Sequence, residues 1–364
     1  MQFLSSNIKV DLTHNKIKHI FLRDAEFTVI DTQASQDAII LVDDNPLECD
    51  CRLYDFLRYI EGRMHPKVQN YFHIIPGNLT CQSPDELKNV RVTDLNSKTF
   101  TCVLKEPKVC PEKCDCFLRP EDRAFIFDCS HKNLTSVPSD IKIIGFFNNI
   151  PGLQLLELSD NALQSIEPGT FDNLINLLFL NLSENHLTEP RSGIFDELVA
   201  LKSLDLNTNY MVKLPEDIFA KLKNLRDLKL FRNNFTNLPR NLLRNNMKLR
   251  IFTLFENKRN MTTLPDAFFA NLTKLEMLKL KRNGFVTLPE DLFWGCTSLI
   301  NINLERNYLR TLPRYIFRDL KGLKILELNF NDLQSLPDYI FLNTEHLVKL
   351  DLSKNRITSI SKYV

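Results

Sequence analysis

An asparagine recurs down the second half of this chain at a nearly fixed interval, and that register constrains the fold more than any other feature. The nine positions are Asn161, Asn185, Asn209, Asn233, Asn257, Asn283, Asn307, Asn331 and Asn355. Seven of the eight spacings are 24 residues; the exception, 26 residues from Asn257 to Asn283, holds the insertion KRNM at 258–261. Each Asn closes a pattern L-x-x-L-x-L-x-x-N-x-φ, as in Leu153, Leu156, Leu158, Asn161 and Leu163. So regular a period predicts stacked copies of one unit that buries its apolar edge only against its neighbours. The L-x-L core alternates, which predicts a short strand with leucines inward and the intervening residues outward. The Asn in the following turn can bond backbone groups that would otherwise be buried unpaired, and stacking makes a ladder of them. Ten residues after most Asn stands a Phe: Phe171, Phe195, Phe219, Phe293, Phe317 and Phe341, with Phe269 joining after the insertion and Leu243 as the substitute. A spine of stacked rings opposite the strands accounts for much of the count of 26 Phe, and turns built on Asn suit a chain with only 9 Gly.

The array is identified by this pattern as a member of the leucine-rich-repeat family. The membership implies an α/β solenoid with a parallel concave sheet, closed at its ends by cysteine-rich caps.

Eight of the 9 Cys fall between Cys49 and Cys129, upstream of the array. The first block is Cys49-x-Cys51 with Cys81 and Cys102; within it Leu53, Phe56, Leu57 and Ile60 are spaced to lay one helical apolar stripe over a solenoid end. The second is Cys110-x3-Cys114-x-Cys116-x12-Cys129. Zinc is the competing reading, but C-x-C at these long intervals is not ligand spacing and the seven His are scattered, so no metal or cofactor is expected. Six N-x-[ST] sequons, at Asn78, Asn133, Asn181, Asn234, Asn260 and Asn271, favour an oxidising, extracellular setting and hence disulfides. The first block resembles the C-terminal cap of leucine-rich-repeat ectodomains, which implies Cys49–Cys81 and Cys51–Cys102. The second resembles the N-terminal cap, which implies Cys110–Cys116 and Cys114–Cys129. Cys296 stands in a column of core leucines (Leu174, Leu198, Leu222, Leu320) and reads as a small buried apolar residue.

A C-terminal cap ahead of an N-terminal cap implies two solenoids in tandem. The expected domains are the end of a first array (1–48), a C-terminal cap (49–105), an N-terminal cap (106–138) and a second, truncated array of nine repeats (139–364). Val10, Leu12, Asn15 and Ile17, then Ile40, Val42, Asn45 and Leu47, read as two repeats of the first array. No signal peptide opens the chain, no apolar run could span a membrane, and the array meets no second cap. The chain is therefore expected to be a fragment. Caps back to back around EPKV (106–109), with NPLECDC, LYDFLRYIEGRMHP and CPEKCDC, resemble the junction in insect Toll receptors. In those receptors a long array precedes the junction and a short, capped one follows; here nine repeats follow. The resemblance implies binding of a protein ligand, a dimeric cystine-knot cytokine of the Spätzle type, with receptor dimerisation. Membrane attachment and signalling would pass through segments absent from this chain. An extracellular adhesion or guidance protein with tandem capped arrays is the alternative.

Composition bounds the function. With 46 Lys+Arg against 45 Asp+Glu, the formal net charge of +1 gives no footprint for nucleic acid. No nucleophile elbow, H-E-x-x-H or P-loop is present, so no enzyme activity is expected. Binding is expected on the outward strand positions. Repeats four to six bring together Phe231, Phe255, Ile251 and Met277, flanked by Lys229, Arg232, Lys279, Lys281 and Arg282. Exposed aromatics rimmed by basic residues have the character of a protein-binding hot spot. Repeats one to three carry Glu157, Asp160, Glu184 and Asp205 instead, so the face is charge-segregated. The plainer alternative is that these charges merely solvate the sheet.

Overall fold

A computed structural model of the protein describes residues 8–22, 38–69, 72–103, 110–139, 152–257 and 261–364. The EPKV linker and the sequon at Asn260 lie outside them. The chain forms two compact units, residues 1–106 with 116–125 and residues 107–115 with 126–364.

The first unit contains a parallel sheet in the order β1-β2-β4, from β1 (Lys9–Asp11), β2 (Ala38–Leu41) and β4 (Phe72–Ile75). Asn45 is buried behind it, donating from Nδ2 to the carbonyls of Leu12 (2.8 Å) and Val42 (2.9 Å) while its Oδ1 accepts from the Ile17 N–H. Two short strands, β3 (Leu47–Glu48) and β5 (Cys81–Ser83), pair in parallel. Between them run helices α1 (Tyr54–Ile60) and α2 (Pro66–Gln69). Asp50 starts the 3-10 turn Cys51–Leu53 ahead of α1 by accepting the Arg52 N–H. Leu53, Phe56 and Leu57 are buried, as is Tyr59, whose hydroxyl accepts the Ile74 N–H. Two disulfides hold this unit, Cys49–Cys81 and Cys51–Cys102. β6 (Cys102–Val103) lies antiparallel to β7 (Asp115–Arg119). The loop after β7 supplies Glu121, which accepts from Arg63 (2.6 Å) and the Tyr54 hydroxyl (2.8 Å). Burial and that bond push the Tyr54 phenol up to about 12.

The second unit takes in the end of β8 (Ala124–Asp128) and carries the disulfide Cys114–Cys129. Cys110 and Cys116 are disulfide-bonded as well. Nine strands then stack in parallel: β9 (Leu153–Glu157), β10 (Phe179–Asn181), β11 (Ser203–Asp205), β12 (Asp227–Lys229), β13 (Ile251–Thr253), β14 (Met277–Lys279), β15 (Asn301–Asn303), β16 (Ile325–Glu327) and β17 (Lys349–Asp351). Their register is constant, so equivalent residues of successive repeats stand side by side: Leu180 beside Leu156 and Leu204, Phe252 beside Leu228 and Leu278. The cap continues the ladder, with the Cys129 N–H donating to the Glu157 carbonyl.

The asparagines do what their spacing implies. Asn185 donates to the carbonyls of Leu158 (2.8 Å) and Leu182 (3.2 Å) and accepts the Leu163 N–H, thereby tying two repeats together. From Asn233 to Asn307 the ladder residues also bond one another: the N–H of each of Asn233, Asn257 and Asn283 donates to the next Oδ1. On the opposite side Phe171, Phe195 and Phe219 stack at 6.0 and 6.4 Å, and Phe269, Phe293, Phe317 and Phe341 at 6.0 to 6.4 Å, with buried Leu243 between the two runs. That side is made of turns, and among the described residues of this unit no α-helix forms. Cys296 is buried, its Sγ donating to the Phe269 carbonyl, and desolvation pushes its thiol up to about 12.

One regularity has no counterpart in the sequence pattern. The residue just before every ladder Asn is in the left-handed region: Asp160, Glu184, Thr208, Arg232, Glu256, Arg282, Arg306, Phe330 and Lys354, with φ between 50° and 56°. His14 and Asp44 do the same before Asn15 and Asn45. None is glycine, although glycine carries the least penalty there.

Candidate ligand-binding face

The outward positions of β12 to β14 and the residues just after them meet on one face of the second unit. Phe231 and Phe255, two residues past the strand ends of neighbouring repeats, stack with ring centroids 4.3 Å apart and planes 5° from parallel. Lys281, the same position in the next repeat, puts its Nζ 5.4 Å from the Phe255 centroid. Three successive repeats thus build a cation–ring–ring stack, each ring half-buried by its neighbour. Ile251 and Met277 pair in register on β13 and β14, also half-buried.

The basic residues around this stack are not equivalent. Glu256 accepts from Arg232 Nε (2.8 Å) and Arg282 Nη1 (3.1 Å), so two rim arginines share one carboxylate. The Arg232 bond holds the Glu256 carboxyl below its ordinary range. Lys229 donates to Asp205 at 2.8 Å; burial acts to lower its ammonium, but the Asp205 bond and charge outweigh it and the net direction is up. Lys279 and Lys281 form no salt bridge among the described residues, although their charges act on Asp227 and Glu256 respectively. What reads in sequence as a basic rim is therefore an ion-paired frame with Lys279 and Lys281 outside its salt bridges.

Behind the frame lie buried polar atoms without hydrogen-bond partners: Asp227 Oδ1, Thr253 Oγ1 and Arg282 Nε. Such atoms are rare in folded interiors. Burial pushes the Asp227 and Glu157 carboxyls above the usual carboxylate range. Between the unfolded Asp value of 3.8 and the raised folded value, the folded chain holds the proton more tightly, so Asp227 adds stability as pH falls and opposes folding above that range. Asp227→Asn is expected to raise the urea midpoint at pH 7 and to leave it nearly unchanged at pH 3.5. Paired urea titrations at both pH values check the sign; a lower midpoint at pH 7 would contradict it.

The sequons are unequally placed. Asn78, Asn133 and Asn271 are exposed. Asn181 is half-buried on β10, accepting the Ser183 N–H, and Asn234 is half-buried with its Nδ2 donating to the Tyr210 carbonyl. His19, Glu48 and Asp50 in the first unit lie close enough to hold a metal ion. Lys18 and Arg52 already pair with those two carboxylates, however, which disfavours a further cation there.

Comparison with known proteins bears on these repeats directly. A model described as a BspA type leucine-rich repeat region matches in six copies across residues 142–276 and 252–364. The chain belongs to the leucine-rich-repeat family. A leucine-rich-repeat C-terminal domain model matches residues 78–103, which include Cys81 and Cys102 of the first cap. Protein toll of Drosophila melanogaster is 34% identical over 146 residues, covering 38% of this leucine-rich-repeat chain and 13% of that protein. A chain from the structure of the Toll–Spatzle complex, a molecular hub in Drosophila development and innate immunity, matches with a TM-score of 0.58 at 23% identity. The match covers 97% of this chain and 41% of that one, and at that identity it speaks to the fold. The chain thus spans a minor part of the Toll relatives to which it is similar. Among the described residues, no helix is long and apolar enough to cross a membrane.

Proposed function

We propose that this chain is the extracellular, non-catalytic ligand-binding region of a Toll-type receptor, and that repeats four to six hold its protein ligand. The observation that carries this reading is the Lys281–Phe255–Phe231 stack. It offers a preorganised apolar platform framed by ion pairs, the make-up of an interface hot spot. Similarity to Toll supports a ligand of the Spätzle type, a dimeric cystine-knot cytokine, and two copies of this face on one dimer would bring two receptors together. Expected binding residues are Phe231, Phe255, Ile251, Met277, Lys229, Arg232, Lys279, Lys281 and Arg282.

Half-buried Phe231 and Phe255 can be shortened without opening the leucine core beneath them. Phe231→Ala/Phe255→Ala is therefore expected to keep its circular dichroism spectrum and to bind a Spätzle-type cytokine at least about tenfold more weakly, as for loss of one central hot spot. Surface plasmon resonance on the two proteins reads this. Unchanged affinity in the folded variant would move the binding surface elsewhere.

A further inference from the structure

A second surface lies on the turns opposite the sheet, in repeats six to eight. Trp294, the single tryptophan of the chain, is 52% exposed, Tyr315 51% and Tyr339 43%. The core does not need these rings: Phe293, Ile316 and Phe317, their neighbours in sequence, fill it and are buried. Two guanidinium groups lie over the exposed rings. Arg318 is 5.7 Å from the Trp294 centroid, while Arg314 is 5.5 Å from Tyr315 and 5.8 Å from Tyr339.

The charges here differ from those on the sheet face. Arg232, Arg250, Arg282 and Arg306 each meet a carboxylate. Among the described residues no carboxylate pairs with Arg314 or Arg318. The neighbouring acids are engaged by backbone instead: Asp319 accepts the Gly295 N–H and Asp291 the Ala267 N–H. A guanidinium stacked on a ring keeps its N–H edge for a planar anion, and the ring orders the side chain before a partner arrives.

We propose that this surface binds an acidic segment of a protein partner, separately from the sheet face. Carboxylates of that segment take the N–H edges of Arg314 and Arg318, and an apolar side chain packs on Trp294 and Tyr315. Tryptophan, tyrosine and arginine together are the composition of protein hot spots, which favours a protein over a polyanionic glycan. The chain's own sugar is the other possible cover, because the Asn271 sequon abuts the surface: its N–H donates to the Trp294 carbonyl at 2.7 Å.

Trp294 is a built-in reporter. The glycosylated full chain and its Asn271→Gln variant are titrated with a synthetic peptide of alternating Glu and Tyr, exciting tryptophan selectively. The expected result is a saturable change in emission in both forms, weakened at least about tenfold by Arg314→Glu/Arg318→Glu, the loss of two charge-assisted contacts. Arg314→Gln/Arg318→Gln, which removes charge without reversing it, serves if the first pair disturbs folding by circular dichroism. The proposal is overturned by no emission change, by an undiminished response in the arginine variants, or by a response to heparin and not to peptide. A response that appears only in Asn271→Gln overturns it as well, since the surface is then the seat of the chain's own glycan.

Discussion

Asn209→Leu is expected to lower the unfolding free energy by about 4 kcal/mol, from at least two buried backbone groups left unpaired at roughly 1–3 kcal/mol each. Asn209 is buried, and leucine keeps its branched shape, with bulkier ends, but none of its bonds. Its Nδ2 donates to the carbonyls of Leu182 (2.9 Å), Asn207 (3.1 Å) and Leu206 (3.3 Å), and its Oδ1 accepts the Leu187 N–H at 3.0 Å. Leu182 and Leu187 belong to the preceding repeat, so the substitution cuts the tie between repeats as well as a turn. Asn355 makes the corresponding bonds, to the carbonyls of Leu328 and Leu352 and from the Leu333 N–H, but is only half-buried. Water can replace its side chain, so Asn355→Leu is expected to cost about 1 kcal/mol. Urea unfolding of the two variants, with hydrogen exchange at the Leu187 amide, reads the difference. Equal losses would mean that the ladder acts through local turn geometry and not by satisfying buried groups.

Phe293→Ala is expected to cost a similar amount, about 4 kcal/mol, for a different reason. Phe293 is 1% exposed and sits between Phe269 at 6.2 Å and Phe317 at 6.4 Å. Truncation removes its own transfer energy and leaves a cavity that neighbours on a fixed register cannot collapse into. Phe293→Leu should recover most of the loss, because Leu243 already occupies a spine position fully buried between the two stacked runs. Thermal unfolding followed by circular dichroism gives the ranking, and Trp294 emission shows whether the damage stays near repeats six and seven. A Phe293→Leu variant as unstable as Phe293→Ala would show that ring stacking, not volume, holds the spine.

The ladder and the spine were legible because each is a column of one residue type at one interval. The strand register followed from the same period, since a nearly constant repeat length sets one large apolar residue beside the next, Leu228 beside Phe252 and Leu278 beside Ile302. The charges around Phe231 and Phe255 were less legible. Arg232 and Glu256 are 24 residues apart and Glu256 and Arg282 are 26, so opposite charges in one column were there to be read. Reading along the chain instead lists Arg232, Lys279, Lys281 and Arg282 as a basic cluster and misses the acid that stacking places among them. The stacking of Lys281 on Phe255 is of the same kind. Trp294 and Arg318 are likewise 24 residues apart, one column in successive repeats, but that column holds no single residue type, so nothing in the sequence pattern marks their contact. Asp227 was unremarkable in sequence because only packing shows that its carboxyl is shielded.

The left-handed residue before each ladder Asn bears on how such a surface changes over generations. Glycine would relax that backbone position but would leave nothing there to touch a ligand, whereas the chain places Arg232, Glu256, Arg282, Arg306 and Phe330 there. All five already contact one another, Arg232 and Arg282 on Glu256 and Arg306 over Phe330 at 4.3 Å. Because the adjoining Asn fixes the backbone, the side chain at this site is free of any duty to the core. Each repeat therefore offers one position where acid, base or ring can be exchanged with the scaffold unmoved, so specificity can diversify while the period that defines the fold stays the same.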